Sequence, residues 1–145
     1  MKFTQAKIGR VFILKFDHSD DFLSELKEFA ANETISNATI TFLGALEKGE
    51  IVTGSVDLSL PADPVWNSFD KPMEVLGFGI ITKRGNAEHS HIHVSLGRDK
   101  KALCGCLRKG TKVFLTIEAV LHELVDTNIG RDMDESTGHD LLKFD

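Results

Sequence analysis

The sequence has little cysteine, no tyrosine and no long hydrophobic run. Its 145 residues include 2 cysteines separated by a single residue, a spacing that does not allow an unstrained disulfide. No stretch of about twenty apolar residues predicts a transmembrane helix, and no leader peptide is recognisable. These absences predict a cytoplasmic protein with reduced thiols and no membrane partner.

The chain also lacks a basic cluster. Its formal net charge is -5, from 22 acidic and 17 basic residues, and the basic residues are scattered along the sequence. Binding to a nucleic-acid backbone depends on clustered lysine and arginine, so the composition weighs against that function. A chain of this length buries roughly 68 to 70% of its unfolded surface, which predicts a single domain that folds without a metal or disulfide.

Apolar patterns predict a chain built mainly of strands. The predicted strands cover residues 7–16, 37–47, 50–58, 72–83, 89–96 and 112–125, while 102–107 is either strand or turn. An apolar stripe with a 3.6-residue period predicts one helix over residues 20–32, with Ser19 as its N-cap. Many strands after one early helix predict an α+β domain, mainly an antiparallel sheet with the helix packed on it.

Three other segments have the composition of turns or tails. Lys48 and Gly49 are predicted to join the second and third strands. Residues 61–67 surround Trp66 with turn-forming residues, which predicts a loop with the tryptophan at the edge of the core. The polar segment 126–145 is predicted to fold back near its end, onto a core of about residues 7–125 within the single domain 1–145.

The segment His89-Ser90-His91-Ile92-His93 carries the strongest functional signal. Side chains two residues apart on a strand share a face, so the three imidazoles are expected to converge. Downstream, Cys104-Gly105-Cys106 places two thiols around a glycine. Imidazole and thiolate are the ligands that zinc prefers, so the two segments together predict a metal site. The alternative is a solvated, histidine-rich sheet edge.

Several segments share a further pattern of glycines and apolar residues: Gly9–Leu14, the helix end at Phe29-Ala30, Thr41–Leu46, His91–Gly97, Cys104–Leu107, Gly110 and Val113–Glu118. Together they resemble the PPC domain, the plants and prokaryotes conserved domain, which accompanies AT-hooks in plant nuclear proteins. The likeness covers about residues 7–125 and is closest to a stand-alone prokaryotic-type member. Cys106 stands where the family usually has a histidine, and a thiolate is also a good zinc ligand.

The resemblance implies a homotrimer with the histidine strand near the subunit contacts. It also implies a zinc site formed by His91, His93 and Cys106, with His89 as a fourth ligand or as a neighbour that supports the others. Three protein ligands leave an open position for water or a small anion. Glu118 matches the family's glutamate and is either a base, an orienting partner for an imidazole, or a strand residue paired with a cation.

Two function classes follow from these expectations. In the first, the protein is a regulatory or interaction module whose trimer is a platform for protein partners and whose metal is structural or sensing. In the second, it is a metal-dependent enzyme whose open metal position activates water. DNA binding by the trimer is a weaker third hypothesis. The nearest string to an AT-hook, Lys83-Arg84-Gly85-Asn86, lacks the second arginine and the proline, so no nucleic-acid partner is expected.

Overall fold

The computed structural model describes residues 1–85 and 87–144, so the last residue of the predicted tail, Asp145, lies outside the described residues. In this range a mostly antiparallel sheet accompanies one short helix. None of the described helices has the length and apolar character needed to cross a membrane. The elements in chain order are β1 (Lys7–Asp17), α1 (Phe22–Asn32), β2 (Ala38–Ser55), β3 (Pro64–Phe69), β4 (Met73–Arg84), β5 (Ala87–Arg98), β6 (Lys101–Val125), β7 (Ile129–Asp134) and β8 (His139–Phe144).

The two longest strands of the sheet are β2 and β6, and the sequence prediction was wrong about both. The predicted break at Lys48 and Gly49 is wrong, because β2 runs on and continues its ladder with β6 through irregular register shifts. Similarly, the segments predicted separately at 102–107 and 112–125 belong to the single strand β6. Bulges absorb the polar and glycine residues that would otherwise end a strand, so a turn-like composition did not produce a turn.

Two local predictions were also wrong. The helix N-cap is Asp21, whose carboxylate accepts a hydrogen bond from the Ser24 amide at 3.0 Å, while Ser19 lies two residues earlier with a positive φ. Trp66 is not in a loop, because it belongs to β3 and pairs with Val52 of β2. Its side chain is 52% exposed, since an edge strand has one side free of the core.

The core lies between α1 and the inner face of the sheet. The helix buries Phe22, Leu26 and Ala30, which recur every four residues and therefore share one face. The Phe22 ring packs at 4.6 Å from the Phe42 ring and 4.9 Å from the Phe16 ring, between ring centroids. Strands β2, β4, β5 and β6 pair in a closed ring around this core, so the alternate residues of each strand form an outer face.

Residues 129–144 form a hairpin of β7 and β8 against the end of β4. One parallel bridge joins Lys83 to Gly130, and the Ala62 amide donates to the Thr137 carbonyl oxygen at 3.2 Å. These two attachments hold the hairpin over the outer face near the start of β5. The chain after β6 therefore supplies a wall to the surface that carries the histidines.

Gly105 allows β6 to lie close to β2 beside the histidine strand. A Cβ atom at this position would lie 2.2 Å from the Val52 carbonyl oxygen, which is a backbone atom and cannot rotate away. The absence of a side chain at residue 105 therefore permits the pairing of Cys106 with both Val52 and His93.

We predict that Gly105→Ala lowers the free energy of unfolding by about 1–3 kcal/mol, because the added methyl forces two paired strands apart. Gly97→Ala is the control, since a Cβ there meets nothing within 4 Å. Its effect should stay within about 0.5 kcal/mol. Urea unfolding followed by circular dichroism measures both values, and equal stability of the two variants would contradict the packing argument.

Candidate metal centre

Successive side chains of β5 point to opposite faces of the sheet, and this separates the histidines of the strand from the core. Ile92 and Val94 are buried against the helix side, while His91 and His93 are exposed on the outer face. Apolar side chains thus fix the orientation of the strand, and the imidazoles take the opposite face as a consequence.

The ladder between β5 and β6 brings a thiol to these imidazoles. His93 and Cys106 are directly paired, so their side chains share the outer face. The Nε2 atoms of His91 and His93 are 3.1 Å apart, and the ligand atoms of the two histidines and Cys106 all lie within 4.8 Å of one another. The structure therefore brings together three of the four side chains that the sequence nominated.

This donor set fits a tetrahedral zinc ion. Zinc binds imidazole nitrogen at about 2.0–2.1 Å, so two imidazoles on one tetrahedral ion have nitrogens about 3.3 Å apart. The observed 3.1 Å between His91 and His93 is close to that separation. Cys106 adds a soft ligand, which favours zinc over magnesium or calcium.

The protonation states suit metal binding at neutral pH. Partial burial, assisted by the Arg131 guanidinium and the His93 ring, lowers the pKa of His91 to about 4, so this imidazole is neutral and can donate its lone pair. Burial raises the pKa of the Cys106 thiol, so a metal ion must displace its proton.

His89 occupies a separate position next to the cluster. It is half-buried, and its Nε2 lies 3.6 Å from a carboxylate oxygen of Asp140 on β8. Its Nδ1 is buried without a hydrogen-bond partner among the described residues. Burial and the Arg131 charge lower the pKa of His89, so the contact with Asp140 is a polar contact of a neutral ring more than an ion pair.

The cluster opens into a cleft of about 700 Å³. Its floor is the His and Cys face of β5 and β6, and one wall is the β7–β8 hairpin. The end of β2 and the segment after Pro61, which contacts the hairpin at Thr137, complete the lining. A volume of this size is in the usual range for small-molecule sites, which are commonly about 300–1,000 Å³.

Glu118 and Cys104 lie outside the three-residue cluster. Glu118 is exposed and lines a different depression, together with Ile13 and Leu43. It pairs with Lys15 on β1 and Leu43 on β2, away from the paired ends of β5 and β6, so one chain does not bring it to His91. Cys104 lines the metal-cluster cleft but lies two residues before Cys106 on β6, where it accepts a long hydrogen bond from Ser95 at 3.6 Å.

Sequence reasoning missed the contribution of the tail. Arg131 of β7 is buried, and its Nη2 lies 3.5 Å from Nδ1 of His91. Asp140 of β8 contacts His89 and also Arg84, with 3.2 Å between Arg84 Nε and its Oδ1. The signal was the turn-like run Asp134–Gly138 between two short segments, which indicates a hairpin. No local pattern indicated that the hairpin meets the histidine strand.

Comparison with known proteins identifies the family pattern. A profile of the Plants and Prokaryotes Conserved (PCC) domain, abbreviated PPC above, matches residues 3–125. No curated protein is significantly similar in sequence.

Solved structures share the fold over almost the whole chain. A metal-containing protein from Archaeoglobus fulgidus is 26% identical, with a TM-score of 0.86 and coverage of 97% of this chain and 98% of that one. A PPC protein from Pyrococcus horikoshii is 21% identical, with a TM-score of 0.80 and coverage of 97% and 99%. A candidate DNA-binding protein from Bacteroides thetaiotaomicron is 19% identical, with a TM-score of 0.79 and coverage of 97% and 99%. The last two identities are low, so those likenesses show the fold alone.

Proposed function

Because this chain belongs to the Plants and Prokaryotes Conserved domain family, we propose that it is a homotrimeric zinc-binding module that regulates or assembles protein partners. The observation that carries the proposal is the cluster of His91, His93 and Cys106 on one face of two paired strands. Zinc would be held by two imidazoles and one thiolate, and it would act there as a structural or sensing ion.

Two further observations support a metal at this position. The protein from Archaeoglobus fulgidus, which shares the fold and 26% of the sequence, is described as metal-containing. The family resemblance also implies that Cys106 stands where a histidine is usual, which would exchange one zinc ligand for another. Its thiol carries its proton while the metal is absent, so zinc binding releases a proton and weakens as the pH falls.

A second candidate function is a metal-dependent enzyme. The cluster supplies three protein ligands and faces a cleft, which is the arrangement of catalytic zinc sites that bind water at the fourth position. His89 lines the same cleft, and in this hypothesis its ring, kept neutral by a lowered pKa, is the candidate proton acceptor. A structural site, in contrast, is usually closed by four protein ligands.

The proposed trimer is supported by an apolar patch on the outer face. Five large side chains there are between 51% and 78% exposed: Val11, Ile13, Leu43, Leu76 and Phe78. Phe78 pairs with His93, so the patch continues to the edge of the metal cluster. Contiguous exposed apolar surface is typical of an interface, and the family resemblance implies that its occupants are two further copies of this chain.

DNA binding is left out of the proposal. The structural neighbour described as a candidate DNA-binding protein is only 19% identical, so the likeness carries the fold and not that role. The chain has a net charge of -5 and no AT-hook-like sequence, and both features disfavour contact with a polyanion.

We predict about one zinc per chain in untagged protein prepared without chelators. His91→Ala and Cys106→Ser should each lose most of this zinc, because two remaining ligands bind the ion weakly. Cys104→Ser and His89→Ala are matched controls from the same two strands, and both should keep it. Elemental analysis by mass spectrometry measures the content, and full zinc in Cys106→Ser would contradict the assigned ligand set.

A second prediction follows from the open coordination position that the enzyme hypothesis requires. Cobalt-substituted protein should change its visible spectrum when azide is added, because azide can replace a solvent ligand. The metal-free protein with azide is the control. An unchanged spectrum at saturating azide would indicate a site closed by protein ligands and would contradict the enzyme hypothesis.

A third prediction follows from the proposed trimer. Wild-type protein at micromolar concentration should have about three times the chain mass of 16.0 kDa in analytical ultracentrifugation. Leu76→Glu should shift the protein to single chains, since it places a charge within the apolar patch. Leu58→Glu is the control, because Leu58 is fully exposed in a loop away from the patch. A wild-type mass of one chain would contradict the trimer.

A further inference from the structure

The cleft beside the metal cluster contains a buried arginine with unused hydrogen-bonding capacity. Arg131 is only 5% exposed, and its Nε is buried without a hydrogen-bond partner among the described residues. Its Nη1 donates to the Asp140 carbonyl oxygen at 2.8 Å, while its Nη2 lies 3.5 Å from Nδ1 of His91. A guanidinium has five N–H donors, so this environment leaves several of them unsatisfied.

The charge of Arg131 is also poorly compensated. The Asp140 carboxylate, which interacts electrostatically with Arg131, forms its ion pair with Arg84, at 3.2 Å between Arg84 Nε and its Oδ1, and its other oxygen faces His89 at 3.6 Å. In the described part of the chain no carboxylate forms an ion pair with Arg131. Burying a cation without a partner costs free energy of folding. A site that retains such a cation is therefore expected to bind an anion from outside the protein.

A second arginine lines the same cleft. Arg108, on β6 two residues after Cys106, is exposed, and the described residues give it no ion pair. Its charge and that of Arg131 both lower the pKa of His91, in agreement with the place of both arginines in the lining of the cleft. The hairpin wall adds Met133 and Leu141, which are apolar and about half exposed.

We propose that this cleft binds a small organic molecule through an oxyanion group, a carboxylate or a phosphate, held by Arg131 and Arg108. Planar guanidinium groups are suited to these anions because they offer paired N–H donors. An apolar body attached to the anion would lie against Met133 and Leu141. The inference depends on the proposed metal centre only for the identity of the group next to the bound anion. The two arginines recognise the anion whether or not a metal is bound.

Isothermal titration calorimetry of the purified protein tests this inference, with inorganic phosphate and hexanoate as probes and hexan-1-ol as the neutral control. Wild-type protein should bind at least one of the two anions and not the alcohol. Stronger binding of phosphate indicates a phosphorylated ligand, and stronger binding of hexanoate a carboxylic acid. Arg131→Gln and Arg108→Gln should each weaken binding about tenfold or more, because each removes a charged hydrogen-bond donor.

Arg98→Gln is the matched control, because this exposed arginine lies at the other end of β5 and donates to the Pro72 carbonyl oxygen. Arg108→Gln decides the test if the buried Arg131 variant does not fold. The inference is overturned if neither anion binds, or if Arg108→Gln binds as tightly as Arg98→Gln. Zinc content measured on the same samples separates the two proposals: arginine-dependent binding without zinc removes the metal centre alone, and zinc without anion binding removes this inference alone.

Discussion

The pairing of His93 with Cys106 across β5 and β6 is the constraint on which the candidate site depends. Directly opposite residues of an antiparallel ladder share a face, so this register places imidazole and thiol together. A slip of one residue would turn Cys106 into the core, and the buried Ile92 and Val94 oppose such a slip because they would lose their contacts. Gly105 adds a second restraint, since only glycine fits against the Val52 carbonyl. The apolar core thus selects the register, and the ligand set follows from it.

The β7–β8 hairpin converts an exposed histidine face into a cleft. Its backbone attachments to the rest of the chain are modest, a bridge at Lys83 and a hydrogen bond from Ala62, and the ion pair of Asp140 with Arg84 adds a side-chain contact. Yet it buries Arg131, which has no ion-pair partner in the part of the chain that the structure describes, and such burial opposes folding. Stability alone gives no reason for a charged residue at this position. Unfavourable burial of a polar group in an otherwise apolar structure is typical of functional sites, where binding compensates for the cost.

The sequence predicted the parts of the site that depend on local periodicity. The two-residue spacing of His91 and His93 was sufficient to place both on one face, because strand geometry alone determines it. The continuity of β2 and β6 was not predictable, since Lys48-Gly49 has the composition of a turn and only the ladder with a neighbouring strand makes it a bulge. The contact of Arg131 with His91 was not predictable either, because the two residues are 40 positions apart and their contact depends on where a hairpin docks.

The thiol of Cys106 also affects the electrostatics of the cleft. Zinc with three imidazoles would carry two positive charges, and a thiolate reduces this to one. Arg131 and Arg108 then add two positive charges to the walls, while Asp140 is engaged with Arg84. The cleft is therefore positive although the chain as a whole has a charge of -5. A small anion within a Debye length of the arginines feels mainly the local field, whereas a long polyanion such as DNA also meets the net negative charge of the rest of the chain. The same charge pattern thus favours a small ligand over a nucleic acid.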